Sequence, residues 1–373
     1  MKFENINITG NKKRVLVAPL DWGLGHAARC IPIIYELLAL QIEVIIAAEG
    51  PIKNLLKKEF PDVVFTHLKG YKIRYSSSRY WFSVKILLQF PRLLACIYAE
   101  HKALEKIIAA YKIDAVISDN RLGLYSASIP CIYITHQLQI KTSYLLGDWI
   151  AQKIHYFFIN KYTACWVPDN ESANNLAGIL SHPKKIPATQ VKYIGPLSRF
   201  KKINTEKKYD LLFMLSGPEP QRSIFEALVQ REVKNYEGKV LLVRGLPGNE
   251  TDELIAGNWY NLTVANHLTA EELNIAIQQS ETVICRAGYT SIMDLCKLQK
   301  QAILVATPGQ TEQEYLALSL MDKKLFFSVA QHEFSLTDAI KKMTSFSCAA
   351  ITITGETYKT TVGDFAKVLR KNQ

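Results

Sequence analysis

The chain has no cysteine pair at C-x-x-C spacing and no apolar run of the roughly 20 residues needed to span a bilayer. Its seven cysteines (30, 96, 131, 165, 285, 296 and 348) are scattered through apolar runs. An odd, dispersed set excludes a disulfide framework and a zinc site and reads as reduced core thiols. Low-complexity tracts and short-period repeats are missing, which excludes a solenoid. Met1 to Gly10 is polar and lacks the basic start, apolar core and small-residue cleavage site of a secretory signal, so the expected location is cytoplasmic. Acidic residues are scarce only in the first half. Residues 1–200 hold 25 Lys/Arg against 14 Asp/Glu and the rest 20 against 20, so the whole net charge of +11 sits there. A basic half beside a neutral half implies one polyanionic partner met by the first half alone. No nucleic-acid motif accompanies the charge, and the expected partner is an anionic membrane face.

What is present fits a soluble α/β protein. The 373 residues, 48% hydrophobic and 21% charged, exceed what one core usually supports, so two domains are expected. Strand-like runs at Arg14 to Leu20, Ile42 to Ala48, Val63 to Thr66, Ala115 to Ser118 and Cys131 to Thr135 alternate with helical ones. Tyr80 to Tyr111 reads as one long helix bent near Pro91. Leu197 to Lys208 (LSRFKKINTEKK) loses apolar periodicity and is the expected linker. A second alternation follows, with strands at Tyr209 to Leu215, Val240 to Arg244, Leu262 to Ala265, Thr282 to Cys285 and Ala302 to Ala306. The reading is two doubly wound, Rossmann-like parallel-sheet domains facing across a cleft: residues 1–200, residues 201–355, and a final helix in 356–373 packing back on the first domain.

Ligands of open parallel sheets bind at the carboxyl edge, so the loops after the strands carry the candidates. Gly23-Leu24-Gly25-His26-Ala27-Ala28 matches the relaxed G-x-G-x-x-[GA] fingerprint, with Glu49 near the end of the second strand. A nicotinamide or flavin oxidoreductase using the Gly23–Gly25 loop is therefore one reading. The other is that the glycines admit a second substrate while His26, at a helix N-terminus that favours neutral imidazole, projects into the cleft as a base. Asp21, Asp119 and His136 are the reserve bases. Ser216-Gly217-Pro218-Glu219-Pro220-Gln221-Arg222 opens a helix as a phosphate loop would, with Arg222 adding charge. Cys285-Arg286-Ala287-Gly288-Tyr289-Thr290-Ser291-Ile292-Met293-Asp294 and Thr307-Pro308-Gly309-Gln310-Thr311-Glu312-Gln313-Glu314 form two consecutive β-loop-α units. Gly288 and the next amides suit phosphate, Asp294 a ribose diol, and Gln313 and Glu314 sugar hydroxyls. A competing structural reading makes Thr311 an N-cap with Glu314 completing a capping box. Aromatic, basic and aliphatic residues mix at Tyr71 to Tyr75, Arg79 to Phe82 and Lys85 to Leu88, as at a membrane interface.

GLGH after the first strand, with CRAGYTSIMD and TPGQTEQE near the end, resembles the GT-B glycosyltransferases of family 28, the MurG-like enzymes in particular. The resemblance is sharp at Cys285 to Glu314 and thin over most of the first half. It implies a UDP-sugar donor, with N-acetylglucosamine as one option, and inverting transfer to a hydroxyl of a glycolipid or lipid-linked saccharide at the inner membrane face. No metal or other cofactor is obligatory. Substrate-binding candidates are Gly23, Gly25, Ser216, Gly217, Arg222, Leu268, Arg286, Gly288, Tyr289, Thr290, Asp294, Gln310, Gln313 and Glu314, with the Gly23–Gly25 loop facing acceptor and donor phosphates alike. Asp294 stands where that family has a ribose-binding glutamate, Glu314 where it has a second glutamine, and Thr135-His136-Gln137-Leu138 where it has HEQN. These departures leave the sugar, the acceptor and the base open. A UDP-sugar epimerase and a non-catalytic nucleotide-sugar sensor remain alternatives.

Overall fold

The computed structural model describes residues 12–71, 79–141, 145–247, 255–256, 261–349 and 356–371. β1 (Arg14–Pro19) is buried at every position, as expected of a strand covered on both faces. The chain then enters α1 (Leu24–Ala39), β2 (Glu43–Ala47), α2 (Gly50–Glu59), β3 (Val64–Thr66) and the 33-residue α3 (Arg79–Tyr111), which runs on through Pro91. β4 (Ala115–Asp119), β5 (Cys131–Ile134), α4 (Leu145–Ile159), β6 (Ala164–Val167) and β7 (Gln190–Tyr193) complete an all-parallel sheet in the order β3-β2-β1-β4-β5-β6-β7.

The second half repeats the plan. β8 (Tyr209–Met214), α5 (Gln221–Val233), β9 (Val240–Val243), β10 (Ile255–Ala256), β11 (Leu262–Ala265), α6 (Ala270–Gln279) and β12 (Ser280–Cys285) come first. α7 (Tyr289–Leu298), β13 (Ala302–Ala306), α8 (Thr311–Asp322), β14 (Phe327–Ala330), α9 (Leu336–Ser345) and α10 (Thr357–Lys371) follow. The sheet order is β10-β11-β9-β8-β12-β13-β14, and only the β10 edge is antiparallel. Winding reverses between β1 and β4 in one sheet and between β8 and β12 in the other. Each reversal opens a crevice at the carboxyl ends of those strands.

The helix that joins the halves is α1. Its Ile31, Ile33, Ile34 and Leu37 are fully buried in a core that continues through Ile292, Met293 and Leu295 of α7 to Val362, Ala366 and Leu369 of α10. Each such aliphatic side chain contributes roughly 1.5–3 kcal/mol on burial. The buried positions of α10 recur three or four residues apart, so one stripe faces α1, and Phe365 meets Trp166 edge-on at 5.5 Å. Leu197 and Phe200 are buried, and the Leu197 amide donates to the Met293 sulfur at 3.2 Å. The expected loose linker is therefore packed at its start, and only from Lys201 onward is it largely exposed. Lys72 to Ser78 lie outside the described residues, as do the side chains of residues 79–90, so most of the basic-aromatic stretch expected at a membrane goes undescribed. Among the described residues no helix is long and apolar enough to cross a membrane.

Candidate active site

Both crevices bring their loops to one place. β1 ends in the turn that carries Gly23, Gly25 and His26, β4 ends at Asp119, and β5 leads into His136. His26 Nδ1 lies 2.8 Å from Asp119 Oδ2, and Asp119 Oδ1 takes the Arg29 guanidinium at 2.6 to 2.7 Å. Arg29 Nη2 also approaches His26 Nδ1 at 2.7 Å, and Arg29 Nη1 approaches His136 Nδ1 at 3.3 Å. Since a guanidinium only donates, His136 Nδ1 accepts, which leaves its Nε2–H to donate to Glu312 Oε1 at 2.7 Å. The chain of contacts starts at a first-domain imidazole and ends on a second-domain carboxylate.

Burial sets the charge states. Asp119 is fully buried, which pushes its ionisation up, but the Arg29 charge and then His26 outweigh that and hold it below the usual carboxylate range. Glu312 behaves alike: burial raises it, and the His136 ring and the Arg29 charge bring it lower than usual. His26 goes the other way, lowered first by burial and then by the Arg29 charge, against the opposing pull of Asp119. At neutral pH it is a neutral imidazole and can accept a proton. Its side chain is 18% exposed while Asp119 is sealed, so the pair opens to solvent through the histidine.

The second domain meets this cluster with the N-terminus of α7. Thr290 Oγ1 donates to the Gly25 carbonyl at 3.0 Å, and Tyr289 donates to the Pro168 carbonyl at 2.9 Å while its ring stacks on His136 at 4.1 Å and 7°. A Cβ at Gly25 would lie 3.0 Å from Thr290 Oγ1, so any side chain here would need Thr290 to give by a few tenths of an ångström. A Cβ at Gly288 would meet nothing within 4 Å, and the space beside the α7 N-terminus is open there. That N-terminus presents orphan backbone N–H groups and the positive end of the helix dipole, a fit for an anionic leaving group.

Other expected site residues have different surroundings. Asp294 is buried; its carboxylate accepts from Ser198 Oγ at 2.6 Å, and burial raises it to about 6 against the pull of Arg199 and Ser198. Arg286, 1% exposed, places Nη1 and Nη2 on the carbonyls of Val305, Ala306 and Gln221, which ties three loop ends together. Arg222 is neutralised by Glu219 and Glu226 at 2.6 and 2.5 Å, so the extra positive charge expected of the Ser216–Arg222 loop is already matched within the protein. Gly217 in that loop sits at φ +101°, a conformation that favours glycine. Leu268 is buried.

The expected Thr311 capping box does not form. Gln310 is the N-cap, Thr311 Oγ1 donates across the domains to the Lys141 carbonyl at 2.7 Å, and Glu314 reaches back to the Gly309 amide at 2.9 Å. Gln313 accepts from the Thr307 amide at 2.9 Å, so both residues brace their own loop. Asp21 accepts from the Tyr71 amide at 3.0 Å and lies apart from the His26–Asp119 pair's hydrogen bonds. Glu49, which a dinucleotide reading would need for a ribose, binds His67 and the Gly70 amide at 3.0 and 2.8 Å. Among the described residues no group of three His, Cys, Asp or Glu is arranged to hold a metal ion.

Two members of the cluster escaped the sequence reading, Arg29 and Glu312. Arg29 stands one helical turn beyond His26, a spacing that puts both on one face, and Glu312 lies inside the TPGQTEQE segment. Nothing local in the sequence marks Glu312 as a partner of a residue 176 positions earlier.

Residues 212–369 match the glycosyltransferase family 28 C-terminal domain. The whole chain is similar in structure to the glycosyltransferase SnogD from Streptomyces nogalater, with a TM-score of 0.59, 12% identity, and coverage of 96% of this chain and 100% of that one. It is also similar to the spinosyn rhamnosyltransferase SpnG complexed with thymidine diphosphate (TM-score 0.58, 13% identity, 96% of each chain). A third likeness is to MurG of Acinetobacter baumannii (TM-score 0.51, 13% identity, 97% of this chain and 100% of that one). No curated protein matches the chain in sequence. The fold is GT-B: two parallel-sheet α/β domains of the kind these glycosyltransferases share.

Proposed function

We propose that this chain is an inverting glycosyltransferase that moves a sugar from a pyrimidine nucleoside diphosphate, with UDP the preferred nucleotide, to an acceptor hydroxyl. The observation that carries the reading is the meeting of the pair formed by partly exposed His26 and buried Asp119 with the α7 N-terminus across the domain boundary, 3.0 Å apart at Gly25 and Thr290. Nδ1 of His26 lies between Asp119 and Arg29 Nη2. Since the ionised Asp119 can only accept, the tautomer that serves catalysis donates Nδ1–H to Asp119, with Arg29 a charged neighbour of that pair, and leaves Nε2 bare for an acceptor hydroxyl. The acceptor oxygen gives its proton to Nε2 and attacks the anomeric carbon. The bond from that carbon to the diphosphate oxygen breaks, and the departing charge is taken up by the α7 N–H groups. A single in-line displacement inverts the anomeric centre. Asp119 stabilises the imidazolium that forms.

The donor diphosphate takes the open space beside Gly288 at the α7 N-terminus. Asp294, which accepts from Ser198, is the ribose carboxylate, and Gln313 and Glu314 are the sugar-facing pair. The acceptor is a lipid-linked or glycolipid hydroxyl at an anionic cytoplasmic membrane face, supported by the basic first half. A soluble aglycone is the second reading for the acceptor, favoured by the natural-product glycosyltransferases among the similar structures. The test is a split between binding and turnover. Asp294→Ala weakens UDP affinity, whereas His26→Ala keeps it and lowers kcat by about 10²–10⁴-fold, the usual worth of a general base. The opposite split would exchange the roles of the two domains.

A further inference from the structure

On the first domain, α3 and α4 pack on the same face of the sheet, Leu104 and Ile107 of one and Ile159 of the other sharing a core with Leu16, Val116 and Tyr133. Their joint is a small buried cluster of Leu20, Tyr71 and Ile97, against which Leu93 of α3 and Phe158 of α4 pack. The outward faces carry large apolar side chains in the open. Tyr98 is 61% exposed, Trp149 56% and Phe157 60%, with Leu94 and Ile150 exposed beside them.

The exposed rings are arranged regularly. Leu94, Tyr98 and Lys102 follow one another at four-residue intervals along α3, and so do Trp149, Lys153, Phe157 and Lys161 along α4 and its end. Four-residue spacing puts each set in one row on the helix surface. In every row a lysine ammonium lies over the ring one turn before it: Lys102 over Tyr98 at 4.6 Å, Lys153 over Trp149 at 3.8 Å, Lys161 over Phe157 at 4.7 Å. Scattered single apolar residues on a surface need no explanation, but a patch of rings each paired with a lysine is another matter. Rings and alkyl stems enter a head-group boundary while ammonium groups stay with lipid phosphates. The described acidic residues on these helices are few. Glu100 is buried against Arg121, which leaves Glu105 on α3 and Asp148 on α4.

We propose that this two-helix face docks on an anionic lipid bilayer. It is distinct from the Tyr71 to Leu88 stretch singled out in the sequence, and it rests on the lipid-acceptor reading given above. Charge complementarity selects the partner, since the whole excess of +11 belongs to this half of the chain. Position selects it as well. Gln152 of α4 accepts from the Ile140 amide at 2.8 Å and donates to the Leu138 carbonyl at 2.7 Å, so the docking helix holds the loop that begins at His136. The cluster under α3 also touches Trp22, next to Gly23. The docking face is thus joined by direct contacts to the two loops that carry His26 and His136.

The experiment is co-sedimentation of the full chain with vesicles of phosphatidylcholine alone and with one-third phosphatidylglycerol added. Binding to the anionic vesicles only, weakened by salt, is expected. The double variant Trp149→Ala/Phe157→Ala should lose roughly tenfold in partition from the apolar area withdrawn. Lys153→Ala/Lys161→Ala should lose a comparable factor on anionic vesicles. Unchanged melting temperatures would certify that both variants are folded, as their exposure predicts. Equal binding by parent and variants, no binding by the parent, or a dimer that the aromatic variant converts to monomer in sedimentation velocity would overturn the proposal. Calorimetry with UDP on the same samples keeps the two readings separate, because vesicle binding without UDP binding would sink the transferase reading and spare this one.

Discussion

Replacing Asp294 with asparagine should make the protein more stable at neutral pH and less able to hold a nucleotide. The carboxyl is 6% exposed, and desolvation raises its ionisation from the usual 3.8 to about 6, although Arg199 and the Ser198 hydroxyl pull the other way. At about 1.4 kcal/mol per tenfold, keeping it ionised in the folded state at pH 7 costs about 3 kcal/mol. Because the folded value lies above the unfolded one, the folded state binds more protons between about pH 4 and 6, and stability falls as pH rises through that window. Asparagine keeps the acceptor for Ser198 and does not titrate. Thermal melts of parent and Asp294→Asn should therefore coincide near pH 4 and separate by several degrees at pH 7.5, the variant higher, at about 2–4 °C per kcal/mol. A variant that melts lower at pH 7.5 would refute the reasoning, since the charge would then be a net stabiliser of the Asp294–Arg199 region. Stability traded for a buried charge is what a binding residue would show.

Glu312→Gln keeps an acceptor for His136 Nε2 but removes the charge, a loss of roughly 1 kcal/mol from a charge-assisted bond. Amide exchange at Gln137 and Gln139 should rise several-fold, and unchanged protection would show that the contact does not hold the domains. Asp119→Asn leaves Arg29 buried without its carboxylate, a change that typically costs about 3–5 kcal/mol. Its melting temperature should fall by at least as much as that of Asp294→Asn rises, and a variant as stable as the parent would remove Asp119 from the centre of the cluster.

Both sheets were legible because parallel strands buried on two faces leave short runs of Val, Ile and Leu, as at Val15 to Ala18 and Ile303 to Val305. β7 and β14 were not, being edge strands that are mostly half-buried and carry mixed runs, QVKY and FSVA; β6 (ACWV) is fully buried but was passed over. His26, Gly25 and Thr290 could be read from their loops, since a helix start after a strand is a local pattern. Their meeting 265 residues apart was beyond any local signal. The surroundings of Arg222 and Arg286 were hidden for one physical reason. A sequence shows a positive charge and hides the carboxylates or carbonyls that consume it. Glu312 was passed over because its partner belongs to the other domain.

The central claim is that the cleft holds a nucleotide sugar, and a melting-temperature screen of UDP, UDP-N-acetylglucosamine, other nucleotide sugars, thymidine diphosphate and NAD(P) tests it most directly. A ligand present at about 100 times its Kd stabilises the folded state by about 2.7 kcal/mol, well within reach of such a measurement. The account predicts a rise with UDP compounds that Asp294→Ala reduces and His26→Ala preserves. A rise with NAD(P) and none with any nucleoside diphosphate would contradict it.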